Sequence, residues 1–219
     1  MKKLIVIYSG KGLQEPLSNL IRAYPFEQVS IIDDTIISEC IQAHKVTPNV
    51  EQRLGKYYRG AVEMGGDIIL NTCSSVGDVA DEWKEKIDIP LIRIDEAMAE
   101  KVVRNHSKIA VVATLNTTLD PTLRLIKSKA RAMGKEIEVI DVLAEGAFEA
   151  LVGGDARKHD EIIEETVKKI SNADCLCLAQ ASMMRMEETL QKAVAIPVYS
   201  SPRLCMEDLS QKFAKERLL

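Results

Sequence analysis

Apolar residues recur along the chain in two patterns. Short runs rich in β-branched residues lie at Leu4–Ile7, Val29–Ile32, Ile68–Leu70, Leu91–Ile94, Ile109–Val112, Ile137–Ile140, Cys175–Leu178 and around Val198. Uninterrupted runs of this kind predict strands buried on both faces of a parallel sheet. Between them apolar residues return at steps of three and four: Leu13, Leu17, Leu20, Ile21 and Tyr24; Val76, Val79, Ala80, Trp83 and Ile87; Leu119, Leu123, Ile126, Ala130 and Met133; Ile162, Ile163, Thr166, Val167 and Ile170. Each set falls on one face of a helix. The alternation predicts an α/β protein with helices on a mainly parallel sheet, and ligands bound beyond the carboxyl ends of the strands.

Sliding the chain against itself exposes a second regularity. Lys3-Leu-Ile-Val-Ile resembles Lys108-Ile-Ala-Val-Val at an offset of 105, and each run leads to a hydroxyl residue, Ser9 and Thr114. Ile32-Asp33 and Ile140-Asp141 close β runs 108 apart, while Asp67 and Asp174, Ser75 and Ser182, and Ile89-Pro90 and Ile196-Pro197 are each 107 apart. Agreement in order and offset favours an internal duplication. The expectation is two pseudo-symmetric α/β lobes with the active site in the cleft between them. The first covers 1–97 with a C-terminal helix at 206–219, the second 98–205, and position 73 faces position 180.

Composition narrows the partners. With 219 residues, 46% of them apolar and 28% charged, the chain can bury a substantial core and is not of the disordered class. Lys and Arg number 29 against 33 Asp and Glu, a net charge of −4 without a basic block, which argues against nucleic acid or an anionic membrane and for a small molecule. Met1-Lys2-Lys3 before Leu4–Tyr8 has the outline of a signal peptide. Five apolar residues are too few for its hydrophobic segment, and no later run reaches the length of a membrane span, so a cytoplasmic protein is expected. The five cysteines, 40, 73, 175, 177 and 205, are odd in number and scattered, which fits reduced thiols and not a disulfide framework.

The densest candidate chemistry is Asn71-Thr72-Cys73-Ser74-Ser75-Val76-Gly77, between a predicted strand and a predicted helix. A strand-to-helix turn presents unpaired N–H groups that favour a bound carboxylate and lower a thiol from its reference pKa of about 8.5. Ser74 or Ser75 can cap the helix or hold a ligand oxygen. The alternative is that Cys73 is a small buried apolar residue. A phosphatase-type loop needs an Arg six positions on, where Val79 stands, and Gly10 and Gly12 lack the third glycine of a dinucleotide loop, with Glu15 and Pro16 in its place. Cys175 and Cys177 have no neighbouring His or further Cys for a metal, and His44, His106 and His159 stand alone, so no metal site and no Ser-His-Asp assembly is expected.

At these residues the chain resembles the aspartate/glutamate/hydantoin racemase superfamily, over nearly its whole length. The resemblance implies two α/β lobes, no cofactor, a homodimer and, in the racemases, a cysteine from each lobe flanking the substrate α-carbon. Asp67 to Cys73 has the spacing of the first cysteine motif, with Cys73-Ser74-Ser75 where many members have Cys-Asn-Thr. Cys73 thus matches the first catalytic thiol. Ser9-Gly10 resembles the first substrate loop, Ala113-Thr114-Leu-Asn-Thr117-Thr118 the hydroxyl-rich loop that holds the substrate carboxylate, Asp174 through Met183 the second cysteine motif, and Ser200-Ser201-Pro202-Arg203 a late segment common in the group.

The chain also departs from the pattern. Gln180 stands in place of the second cysteine, neither Ala181 nor Ser182 supplies the histidine found beside it in glutamate racemases, and Tyr8 replaces an Asp before Ser-Gly. Cys177 lies three residues upstream, roughly 10 Å away along a strand. Racemisation needs one group to remove a proton from one face of a carbon and another to deliver one to the opposite face. An amide does not exchange protons at neutral pH, although it can donate a hydrogen bond to a carboxylate or a developing enolate. Either water or Tyr8 serves the second face, or the chemistry is one-sided, as in decarboxylation or cis–trans isomerisation through a thiol adduct.

The expected assignments follow from the resemblance. Cys73 is base or nucleophile and Gln180 orients the substrate. Ser9, Gly10, Ser74, Ser75, Thr114, Thr117, Thr118 and Ser182 hold its oxygens, and Arg203 and Arg53 are candidates for a second carboxylate. Three functions stay open: an isomerase or racemase of a small amino-acid or dicarboxylic-acid substrate, a one-thiol lyase or cis–trans isomerase, and a non-catalytic carboxylate-binding protein.

Overall fold

The computed structural model describes residues 1–213. Contacts divide the chain into two units, Met1–Asp95 with the stretch from Pro202 onward, and Glu96–Ser201. The first begins β1 (Lys2–Tyr8), α1 (Gln14–Ile21), β2 (Phe26–Ile32), α2 (Ile36–Ala43), α3 (Pro48–Glu63), β3 (Ile68–Asn71), α4 (Gly77–Trp83) and β4 (Leu91–Arg93). Its sheet is parallel in the order β2-β1-β3-β4. Leu4–Tyr8 and all of β3 are buried, because helices cover both faces of these central strands, and this removes any polar alternation from their sequence. On one face Ile5, Ile7 and Ile69 pack with Cys40, Leu54 and Tyr58.

The second unit runs α5 (Glu96–Asn105), β5 (Lys108–Ala113), α6 (Asn116–Ala132), β6 (Glu138–Leu143), α7 (Ala147–Val152), α8 (Ala156–Lys168), β7 (Cys175–Leu178), α9 (Glu187–Ala193) and β8 (Val198–Ser200). Its sheet is again parallel, in the order β6-β5-β7-β8. Ala110, Val112, Leu176 and Leu178 anchor a core that takes in Ile163 and Val167 of α8. Helix α10 (Ser201–Phe213) follows β8 directly. It begins five residues before the helix expected at 206–219, whose part beyond Phe213 lies outside the described residues.

The two sheets repeat one another strand for strand. Leu4 pairs with Ile68 as Ile109 pairs with Cys175, at the offsets of 105 and 107 read from sequence. The Asp67 carboxylate accepts the Lys3 N–H at 2.6 Å, and Asp174 accepts that of Lys108 at 2.8 Å. One match needs correction. Lys3 pairs with Glu27 while Lys108 pairs with Glu138, so β2 and β6 correspond at an offset of 111 and the counterpart of Ile32-Asp33 is Leu143-Ala144, not Ile140-Asp141. Asp33 N–H and Ala144 N–H accordingly bond to the equivalent carbonyls of Tyr8 and Ala113. The cause is helix length: α6 has 17 residues where the 3-10 turn Lys11–Leu13 and α1 together have 11, six fewer.

Candidate active site

Cys73 follows β3 in an extended conformation (φ −117°, ψ 113°) and leads into a 3-10 turn, Ser74–Val76, that continues as α4. The turn is held from both sides. Thr72 donates its N–H and its hydroxyl to the Ile7 carbonyl (3.2 and 2.9 Å), fastening the chain to β1. The Cys73 carbonyl accepts the Val76 N–H at 3.3 Å and the Asn71 Nδ2 at 3.1 Å, and the Tyr58 hydroxyl donates to Asn71 Oδ1 at 3.3 Å. Cys73 is half-buried against the apolar cluster of Ile7, Cys40 and Tyr58, whereas the other four cysteines are buried. Burial pushes the Cys40 thiol up to about 11, with Cys73 and Glu39 adding to it, so Cys40 stays protonated. Ser74 and Ser75 are buried beside Cys73, and Ser9 and Gly10 are half-buried at the end of β1.

Helix α4 opens on Gly77 because Arg93 leaves no room for a side chain: a Cβ there would stand 2.3 Å from Arg93 Cζ. Arg93 is 1% exposed. It donates Nε and Nη2 to the two oxygens of Asp95 (both 3.0 Å) and Nη1 to Asp81 at 2.6 Å. Burial works against its charge, but the facing carboxylates of Asp95 and Asp81 outweigh it and hold the guanidinium protonated.

Arg53, a candidate for a substrate carboxylate, is engaged within the fold. It donates to Asp33 and Thr35 through Nη1 and to Glu39 through Nη2, each at 2.6 Å. Asp33 also accepts the Tyr57 hydroxyl at 2.8 Å. Burial alone would raise its pKa, yet bonds from Thr35 and Tyr57 and the charge of Arg53 prevail and lower it. Arg53 therefore ties α3 to the ends of β2 and α2. Tyr8 is likewise internal: its hydroxyl accepts Gln28 Nε2 at 3.0 Å and lies 3.4 Å from Ser18 Oγ, and burial raises its pKa. It is thereby kept a neutral, occupied phenol, poorly suited to replace a second thiol.

In the second unit Gln180 occupies the place of Cys73, at φ −101° and ψ 128°, before the 3-10 turn Ala181–Met186. Its side chain closes on Thr114: Oε1 accepts the Thr114 N–H at 2.7 Å and lies 3.0 Å from the Thr114 hydroxyl, and Nε2 lies 2.9 Å from that hydroxyl. The N–H fixes which end of the amide is oxygen, since only a carbonyl can accept there. Two expected site residues thus bond directly. Thr114 and Thr118 are buried, Ser182 is exposed, and Thr117 Oγ1 is buried with no hydrogen-bond partner among the described residues. Arg203 is exposed on α10, where its charge counters the upward push of burial and of Glu207 on Tyr24. Cys177 is fully buried in β7, and its contact with Cys175 together with that burial holds it a protonated thiol.

Asn71, Tyr58, Gly77 and Arg93 shape the Cys73 turn and were not among the expected site residues. Asn71, two places before the thiol in an otherwise apolar strand, was the one visible signal. Among the described residues no cluster of His, Cys, Asp or Glu is arranged for a metal ion, and no helix is long and apolar enough to cross a membrane.

The sequence model of the Asp/Glu/hydantoin racemase family matches residues 11–209. The chain belongs to this family. Membership places it among cofactor-independent racemases and isomerases of small carboxylates. Solved racemase structures share its fold. Glutamate racemase isoform RacE1 of Bacillus anthracis superposes with a TM-score of 0.78 at 16% identity, covering 100% of this chain and 84% of that one. Picrophilus torridus aspartate racemase gives 0.74 at 14%, covering 97% and 94%. Allantoin racemase from Klebsiella pneumoniae gives 0.71 at 17%, covering 98% and 89%. No curated protein sequence matches the racemase-family chain.

Proposed function

We propose that this racemase-family chain acts on a small amino-acid or dicarboxylic-acid derivative through Cys73. The observation that carries the reading is that Cys73 is the one cysteine of five that is not buried, in a turn built at the end of a central strand. Its thiolate takes the α-proton, forming S–H and leaving an electron pair delocalised from the α-carbon into the adjacent carboxylate or carbonyl; return of a proton completes the cycle. Ser9, Gly10, Ser74 and Ser75 hold substrate oxygens in the first unit. Thr114, Thr117, Thr118 and Ser182 do so in the second, and Arg203 meets a second carboxylate. Gln180 orients the substrate: the bond to Thr114 fixes its amide plane, and Nε2 carries a second N–H. Glutamate, aspartate and allantoin racemases among the structural relatives support a carbon acidified by a neighbouring carboxylate or carbonyl as the reacting centre. The net charge of −4 supports a protein without nucleic-acid or membrane partners, which we place in the cytoplasm, as a homodimer by analogy with the family.

Gln180 favours a second reading, one-sided chemistry such as decarboxylation or thiol-adduct cis–trans isomerisation, because an amide delivers no proton to the opposite face. Loss of one acid–base partner costs about 10²- to 10⁴-fold. Under the first reading α-hydrogen exchange outpaces inversion, whereas decarboxylation proceeds without α-proton exchange in the substrate. The test is incubation of both enantiomers of glutamate and aspartate, of allantoin and of malonate in deuterated water, followed by NMR, with Cys73→Ala alongside. Deuterium wash-in by the wild type alone supports the proposal, release of carbon dioxide from malonate selects the one-sided reading, and equal exchange by both proteins removes Cys73 from its role.

A further inference from the structure

Resting on the reading of Cys73 as the reacting group, we infer that Asn71 is a positioning residue that, held by Tyr58, sets the peptide on which the thiol stands. Asn71 is 1% exposed at the last position of β3, paired with Ile7 on one side and Arg93 on the other, so its Cα has no freedom. Its amide has two partners, the Cys73 carbonyl and the Tyr58 hydroxyl. With the carbonyl drawn inward to Asn71, the planar trans peptide that follows turns the Ser74 N–H to the opposite side. Thr72 is tied to Ile7 on the preceding side. The peptide after Cys73 is thus held by its carbonyl, and the residue before Cys73 by its N–H and hydroxyl.

The second unit, which repeats the sheet of the first, separates this role from a merely structural one. At the equivalent place stands Leu178, fully buried, in the same strand register and before a turn with nearly the same dihedral angles. There the Gln180 carbonyl accepts the Met183 N–H at 2.9 Å, as the Cys73 carbonyl accepts that of Val76. This turn therefore forms without an amide at its base. The amide is present in the unit whose turn carries the thiol.

The test replaces Asn71 by the residue its counterpart uses, Asn71→Leu, and relieves the stranded hydroxyl in a second variant, Asn71→Leu with Tyr58→Phe. The probe is iodoacetamide, with alkylation of each cysteine followed by mass spectrometry across pH 6 to 9.5 and unfolding midpoints measured in parallel. Misplacement by about 1 Å can cost up to about 10²-fold. The expected result is a fall of at least about fivefold in the Cys73 alkylation rate at pH 7 in both variants, with a smaller fall in Tyr58→Phe alone. With a substrate that exchanges, kcat falls and KM stays within about twofold. Lowered midpoints with a Cys73 alkylation profile that superimposes on the wild type, or one that is faster, overturn the inference and leave Asn71 a structural residue. Failure of the underlying reading looks different: Cys73→Ala would then retain α-hydrogen exchange, whatever Asn71 does.

Discussion

Gly77→Ala places a methyl group where the Arg93 guanidinium already lies. The added carbon would sit 2.3 Å from Cζ and from Nη2 and 2.6 Å from Nε, well over 1 Å inside ordinary contact. Arg93 cannot yield without losing Asp95, which it meets through two 3.0 Å bonds and which is itself fully buried. Breaking a buried pair costs about 3–5 kcal/mol, and the gain from replacing a helical glycine by alanine returns up to about 1. The expected loss is about 2–4 kcal/mol. At about 2–4 °C per kcal/mol for a chain of this length, the unfolding midpoint followed by circular dichroism should fall by about 5–15 °C. Gly12→Ala is the control, since a Cβ at Gly12 meets nothing within 4 Å, and it should stay within about 0.5 kcal/mol. A Gly77→Ala protein within 1 kcal/mol of wild type would show that Arg93 repacks freely and that this cluster does not fix the start of α4.

Two further outcomes follow from the same reading. The folded-state pKa of Asp33 lies below its ordinary value of 3.8, so its stabilising contribution is complete above that value and disappears as the pH falls through the lowered one. Asp33→Asn should destabilise the protein at pH 7 and flatten the acid limb of its stability profile, and an acid limb identical to wild type would refute the assignment. Gln180→Cys restores a thiol at the second position and should raise inversion relative to exchange at least tenfold on any panel acid that the wild type exchanges. Chiral chromatography reads this directly, and no gain would mean that position 180 does not face the reacting carbon.

The strands were legible because helices bury both faces of each sheet's centre, which leaves unbroken apolar runs such as Leu4–Ile7 and Cys175–Leu178. Helix α3 was not read from periodicity, although Thr47 caps it through the Val50 N–H at 3.2 Å and Pro48 begins it. Gly55 at its middle reads as a helix breaker, yet it is there because the Trp83 ring lies 2.3 Å from where a Cβ would be, a contact set by another helix. At the site, Cys73 and its serines could be read from one short segment. The Asn71 clamp could not, because its other half, Tyr58, comes from that unread helix. Arg53 stood as a candidate for a substrate carboxylate for a similar reason: its partners Asp33 and Glu39 lie 20 and 14 positions away.

The carboxylates of Asp67 and Asp174 staple the amino ends of β1 and β5 in the same way, with Asp174 also taking the Ser107 N–H. The opposite edges have diverged: thiol against amide, asparagine against leucine, and a buried arginine at 93 against Ser200. The rim that maintains the architecture is therefore alike in the two units, and the other rim is where they differ. An engineer could exploit this division by exchanging carboxyl-edge turns between halves while leaving both aspartate anchors untouched.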